Sequence, residues 1–431
     1  GDVWVMTSGN RSQEPIAHAN DEARTRLTSL CDAFVMHDRG IVVPVDDSVT
    51  RILDGSEMPV RRSRGYAPFP VTLPIDVPPL LATGGELKAT FCLGSGRHGF
   101  MSQHIGDMEN LETLDAFTTA VDHMQRLFRI EPEIIVTDMH PGYLSGQWAE
   151  RIADGRPVIR VQHHHAHIAS VMAEHGVTAP VIGFSFDGTG YGTDGTVWGG
   201  EVLIADYARF ERVAHLAPVP LPGGDAAVRR PYRMALSHLW AAGVSWSPDL
   251  PPVGAAPPDE RRVLLAQLEG DLNTVPTSSM GRLFDAVSAL AGVRQTITYE
   301  AQAAIELEAV ADSVADGGYS FGIEADIIDP SPVLTSIVQD VRAGVPIGVI
   351  AMRFHRAVAD VITRVAMSIR DREGISTIGL SGGVFANVTL TSMVRDRLEE
   401  VGFRVLTHRV VPPNDGGLAL GQAMVAATRA R

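Results

Sequence analysis

Short apolar runs that end in glycine turns recur along the chain and constrain its fold more than any other feature. Val181-Ile-Gly-Phe-Ser-Phe-Asp187 runs into Gly188-Thr189-Gly190-Tyr191-Gly192. Thr377 to Leu380 runs into Ser381-Gly382-Gly383 and a helix from Asn387, and the strand and hairpin read over Leu80 to Leu93 contain Gly84-Gly85. Such runs, bounded by turn chemistry, read as buried strands. Ile134 to Asp138, Val158 to Val161 and Arg404 to Thr407 add further strands. Helical spacing over Leu111 to Phe128, Gly281 to Ala311 and Ala351 to Arg370 alternates with them, which is the pattern of an α/β fold. Two strand-led units, one from about residue 80 and one from Val181, predict a duplicated pair of α/β lobes.

The opening reads as a strand (Val3 to Thr7), turn chemistry (Ser8 to Glu14) and a helix (Asp21 to Leu30), and is expected to be the closing part of a domain. Pro68, Pro70, Pro74, Pro78 and Pro79 predict an extended linker and a boundary near residue 75, because proline donates no ladder hydrogen bond. Ser247 to Pro258 is predicted as a surface loop. The domains expected are 1–75, 76–178 and 179–431.

With 431 residues the chain can bury two or three ordinary cores. A formal charge of −15 argues against a general nucleic-acid surface, which needs clustered cations. No run of about 18 apolar residues predicts a membrane span. The two cysteines, Cys31 and Cys92, lie far apart, which excludes a cysteine-based zinc framework and leads us to expect a cytoplasmic setting.

The sharpest local signal is Gln162-His163-His164-His165-Ala166-His167, which follows a strand and opens a helix. Residues four apart share a helical face, so His163 and His167 can meet one metal ion. A packed histidine cluster is the alternative, but it would leave many imidazole nitrogens to satisfy. Carboxylates at strand ends should complete a metal site. Asp187 and Asp415, in Asn414-Asp-Gly-Gly417, are the candidates, each equally readable as a turn aspartate. Two histidines with carboxylates suit iron, zinc or manganese.

The glycine turns expose backbone N–H groups and suit phosphate, so Asp187, Gly188, Thr189, Gly190, Gly382, Gly383 and Asn387 are candidate nucleotide contacts. Lysine occurs once, as Lys88 beside Gly84-Gly85, where a compact charge could meet a phosphate. An ordinary solvated lysine is the alternative.

Taken in order, several motifs resemble the HypF family of hydrogenase-maturation carbamoyltransferases: Gly84-Gly-Glu-Leu-Lys-Ala-Thr-Phe91, Asp138-Met-His-Pro141, the histidine cluster, Asp187-Gly-Thr-Gly-Tyr-Gly192, Gly281-Arg-Leu-Phe-Asp-Ala286 and Ser381-Gly-Gly-Val-Phe-Ala-Asn387. The resemblance implies a Kae1-like domain of two RNase H-like lobes, of the actin, Hsp70 and sugar-kinase type. It also implies a partial α+β YrdC-like domain before it, carried by Met6 to Pro15 and Arg61 to Pro68. By motif it puts metal ligands at His163, His167, Asp187 and Asp415 and nucleotide contacts on the glycine turns, with His163, His167 and Lys88 expected to be catalytic. The implied reaction takes ATP, with Mg, and carbamoyl phosphate through carbamoyl adenylate, and delivers the carbamoyl group to the C-terminal cysteine of the partner HypE. The family's upstream acylphosphatase-like and cysteine-rich zinc-finger parts have no counterpart in this sequence. Two other readings are an O-carbamoyltransferase acting on a small hydroxylated metabolite, which places its Kae1-like part first, and a non-catalytic nucleotide-binding scaffold.

Overall fold

The computed structural model describes residues 6–11 and 14–430. The chain divides into two compact units. The first comprises residues 1–52, 56–178 and 408–431, and the second residues 53–55 and 179–407.

The first unit is built on a four-stranded sheet with Val71–Ala82 inside it. Cys92–Met101 pairs antiparallel on one side; Ile134–Asp138 and then Val158–Val161 pair parallel on the other. The parallel step needs a crossover, which the helix Leu111–Phe128 supplies. Asn110 caps that helix by accepting from the Thr113 amide at 2.8 Å, and Arg129 closes it in the left-handed region. Its buried stripe, Leu114, Phe117, Val121 and Met124, packs on Leu81, Leu93 and Ile135. Burying each such side chain contributes about 1.5–3 kcal/mol. The C-terminal helix Leu418–Arg429 packs on Val71–Ala82 and on the helix His163–Glu174. A Cβ at Gly421 would lie 1.8 Å from the Ala166 carbonyl oxygen, so only glycine allows that approach.

The second unit repeats the scheme on a larger scale. Val181–Tyr191, Val197–Ala205 and Phe210–Leu216 form an antiparallel meander, while Thr377–Ser381 and Arg404–Leu406 extend the other edge in parallel. In both units one strand has an antiparallel neighbour on one side and a parallel one on the other. The core unites the sheet with the helices Met280–Leu290 and Ile347–Glu373 through Phe184, Phe284, Phe354 and Ile362.

Four sequence expectations change. The proline-rich linker is instead largely the strand Val71–Ala82, whose register shifts between Thr72 and Val77 and between Val77 and Leu80 accommodate prolines that cannot donate. The hairpin expected over Leu80 to Leu93 forms only at its arms, Leu80 to Ala82 pairing with Cys92 to Gly94, and a long loop, residues 83–91, joins them. The helix expected from Gly281 to Ala311 breaks over residues 291–301, where Gly292 has φ +83°. Ser247 to Pro258 contains a short helix, Pro251–Ala255, opened by two prolines at its first turn. Of the strand expected at Val3 to Thr7, Val3 to Val5 lie outside the described residues, and Met6 and Thr7 belong to no regular element. The helix that follows, Asn20–Leu27, buries none of its residues.

Candidate functional site

In the first unit the strand Val158–Val161 is followed by Gln162, whose side chain caps the next helix by accepting from the His165 amide at 2.8 Å. This cap starts the helix one residue before His164 and sorts the four imidazoles. His164 and His165 are buried in the packing, and His164 Nδ1 lies 3.2 Å from Gln162 Nε2. His163 and His167 share a face, ring centres 4.9 Å apart.

Asp415 opens the short turn Asp415–Gly417 that leads into the C-terminal helix. Its Oδ1 lies 3.6 Å from His163 Nε2 and 3.5 Å from His167 Nε2. Hydrogen bonds of this type fall near 2.9–3.0 Å. By contrast, two donors each about 2.1 Å from one ion at a tetrahedral angle lie about 3.4 Å apart. Spacing and donor chemistry therefore fit a divalent cation of the zinc, iron or manganese kind.

Behind His163, its Nδ1 donates to Asp138 Oδ2 at 2.8 Å, and both side chains are wholly buried. A carboxylate can only accept, so the contact fixes the tautomer with the lone pair on Nε2, the atom turned toward Asp415. Asp138 closes its parallel strand and also accepts from the His140 amide at 2.8 Å. This role was not read from the sequence, although a carboxylate at the C-terminal end of a parallel strand was the available signal. A cavity of about 300 Å³ opens beside Asp138, lined by Thr137, His140, Glu150 and Arg160.

Gly84, Gly85 and Lys88 lie in the loop 83–91. The Gly84 amide donates to Gln422 Oε1 and its carbonyl accepts from Gln422 Nε2, each at 2.9 Å, so this turn is tied to the C-terminal helix. A Cβ at Gly85 would stand 3.2 Å from Asp415 Oδ2, and the absence of one keeps room for that carboxylate. Lys88 is half-buried with φ +49°, a left-handed conformation uncommon outside glycine, and its amide donates to Asp107 Oδ1 at 2.8 Å. Between them, Glu86 accepts from the Leu144 amide. Burial pushes its carboxyl up to about 7 despite that bond, with Glu109 and Asp107 adding to the rise.

The second unit carries the other glycine turns. Asp187 to Gly190 lie within the strand Val181–Tyr191 as a bulge between Phe186 and Gly190, where a glycine turn after the strand was expected. Asp187 Oδ1 takes its neighbour Gly188's amide at 2.7 Å, and Thr189 is exposed. Ser279 donates to the carbonyls of Asp187 and Gly188 at 2.7 and 2.9 Å and caps the helix Met280–Leu290. Beneath Gly188 lies the buried pair Arg282–Asp285, 3.1 Å apart; burial raises the Asp285 carboxyl to about 6 against the pull of Arg282. After Ser381 the chain turns at Gly382, φ +98°, where a Cβ would strike the Phe186 carbonyl oxygen at 2.2 Å. Gly383 begins a turn of 3-10 helix. Asn387 then caps the helix Val388–Glu400 by accepting from the Leu390 amide at 2.9 Å, while its Nδ2 meets His355 Nε2 at 2.8 Å.

Comparison with known proteins gives these features a family. Residues 76–174 match the model of the HypF Kae1-like domain, and residues 183–422 match that of the second subdomain of the carbamoyltransferase Kae1-like domain. Both units thus fall in the class of Kae1-like carbamoyltransferase domains. Carbamoyltransferase HypF2 of Cupriavidus necator is 40% identical over 466 residues, covering 99% of this chain and 56% of the relative. HypF of Rhizobium leguminosarum bv. viciae is 40% identical over 422 residues, 97% of this chain and 54% of its own length. A crystal structure of full-length HypF in its phosphate- and nucleotide-bound form superposes with a TM-score of 0.92 at 42% identity, covering 98% of this chain and 67% of that one. The chain belongs to the HypF carbamoyltransferase family. It spans about half the length of the curated relatives just named. No helix among the described residues is long and apolar enough to cross a membrane.

Proposed function

We propose that this chain carries the carbamoyl-transfer step of [NiFe]-hydrogenase maturation, moving a carbamoyl group from carbamoyl adenylate to the C-terminal cysteine of HypE for cyanide-ligand synthesis. The observation that supports it is the convergence of His163 Nε2 and His167 Nε2 on Asp415 Oδ1 in a member of this family. In this reading residues 1–75 are the end of a YrdC-like domain, residues 76–178 with the returning segment 408–431 form one Kae1-like lobe, residues 179–407 form the other, and the setting is cytoplasmic. ATP, with Mg, and carbamoyl phosphate supply the adenylate.

The thiolate sulfur of the partner attacks the carbamoyl carbon. An S–C bond forms, the carbamoyl C–O bond to phosphate breaks, AMP leaves with that electron pair, and the thiol proton passes to solvent. Within this chain Cys92 is wholly buried with its thiol pushed up to about 12 by desolvation, so it is no nucleophile. His163, His167 and Asp415 would hold the cation, the family motif implies Asp187 as a further ligand, and Asp138 fixes the His163 ring. A cation held there supplies Lewis-acid polarisation of a carbamoyl or phosphoryl oxygen. Lys88 neutralises phosphate charge, and the backbone at Asp187 to Gly190, Gly382 and Gly383, with Asn387, orients the nucleotide.

The test supplies carbamoyl adenylate and a peptide ending in cysteine and seeks S-carbamoyl peptide by mass spectrometry. Product from the wild type and none from His163→Ala is expected. No product from the metal-loaded wild type, or equal product from the metal-free variant, would contradict the reading.

A further inference from the structure

The helix that presents His163 and His167 ends at Glu174, and that residue has no part in the functions assigned so far. Its side chain is 1% exposed. Its carboxylate accepts three successive backbone amides, Arg409 on Oε1 at 3.0 Å and Val410 and Val411 on Oε2 at 2.8 and 3.2 Å. The His408 ring joins at 3.2 Å through Nδ1, and this side chain too is 1% exposed. Three amide donors and the adjacent His408 ring hold this buried carboxylate ionised. Desolvation pushes its pKa up, but His408 and the amides outweigh that and leave it below the usual carboxylate range.

The segment so gathered leads straight into Pro412-Pro413-Asn414-Asp415. Seven helical steps separate His167 from Glu174, about 10.5 Å at 1.5 Å each. The four steps from Val411 to Asp415 can reach at most about 13 Å, enough to run back along the helix. Two prolines with fixed φ transmit the position of Val411 with little slack. Downstream the same turn is pinned again: Ser170 donates to the Gly417 carbonyl at 2.8 Å, and Thr90 to that of Gly416 at 3.0 Å. One helix therefore presents two ring nitrogens at its first turn and grips, at its last, the strap that delivers the carboxylate.

We infer that Glu174 is a positioning residue for the metal centre, setting the reach of Asp415 to His163 and His167 by clamping the backbone of residues 409–411. This rests on the metal reading proposed above. Glu174 touches neither cation nor substrate, and its effect falls on the affinity of the assembled site.

Zn2+ titrated against a chelating dye into the full chain provides the test, with stability followed in parallel by urea denaturation. Glu174→Ala should weaken Zn2+ binding about 10- to 100-fold, the range for groups that orient ligands. Glu174→Gln keeps one acceptor oxygen and should recover part of the loss; it also carries the test if the alanine variant does not fold. Leu114→Ala, in the core of the same unit, controls for destabilisation alone and should bind Zn2+ like the wild type. Unchanged affinity in both Glu174 variants, or an equal loss in Leu114→Ala, overturns the inference and leaves the metal reading standing. A wild type that binds no Zn2+ overturns both.

Discussion

At the first turn of the helix His163–Glu174 the decisive atoms belong to side chains: two ring nitrogens and a carboxylate oxygen, with Asp138 fixing one ring from behind. At the turn Ser381–Gly383 in the second unit the decisive feature is a missing atom, because any Cβ on Gly382 would meet the Phe186 carbonyl oxygen at 2.2 Å. The first region works through what its residues carry and the second through how closely backbone can approach backbone. Substitutions should therefore separate them, the first losing ligand affinity while keeping its fold, the second losing fold as well.

The largest effect should come from His163→Ala. Losing one of the two imidazoles should weaken metal binding about 1,000-fold, or about 4 kcal/mol, with little change in circular dichroism. Metal analysis after dialysis against chelator reads this, and retention of stoichiometric metal would break the contrast from the first side. Next is Gly382→Ala, which combines a left-handed backbone with a backbone clash and should cost about 3 kcal/mol in urea denaturation. Gly402 has φ +87° with nothing near its Cβ position, so Gly402→Ala should cost only about 1 kcal/mol. Equal losses at the two glycines would show that conformation, not close approach, governs the turn. Asp138→Asn preserves shape but frees the His163 tautomer and should weaken metal binding about 10-fold without a comparable loss of stability.

The smallest effect sharpens the comparison inside the first unit, where two carboxylates are shifted in opposite senses. Glu174 is depressed, so its contribution to stability is present above the ordinary carboxylate pKa and lost as pH falls through its folded value. Glu86 is raised to about 7, so its contribution is present below about pH 4.5 and lost as pH rises toward 7. Relative to the wild type, Glu86→Gln should thus gain stability between pH 5 and 8, by at most about 1 kcal/mol given its solvent screening. Glu174→Gln should lose more at pH 7 than at pH 4. Parallel pH profiles for the two variants would contradict these assignments.

Much of the first region was legible because side-chain chemistry is written in residue identity. Four imidazoles in five positions after an apolar strand put two of them on one helical face, and Asp-Gly after Asn414 marks a carboxylate on a turn. The strands Ile134–Asp138 and Val158–Val161 and the helix Leu111–Phe128 were equally plain, because apolar runs and helical spacing are local signals. Pairing across distance was not legible. Nothing near Glu174 announces three amides that lie 235 or more positions away, and a linear division of the chain has no signal that residues 408–431 return to the first unit. The prolines from Pro74 to Pro79 misled because their missing donors fall at register shifts of a strand. The bulge at Asp187 to Gly190 misled because a glycine that admits Arg282 looks the same in sequence as a glycine that makes a turn.

The central claim is that His163, His167 and Asp415 hold one cation. Crystals of the full chain grown with Zn2+, with diffraction recorded on both sides of the zinc absorption edge, test it most directly. The account predicts one strong anomalous peak about 2.1 Å from both Nε2 atoms and from an Asp415 oxygen. An anomalous map with its zinc elsewhere, or with direct hydrogen bonds closing the three side chains on one another, would contradict it.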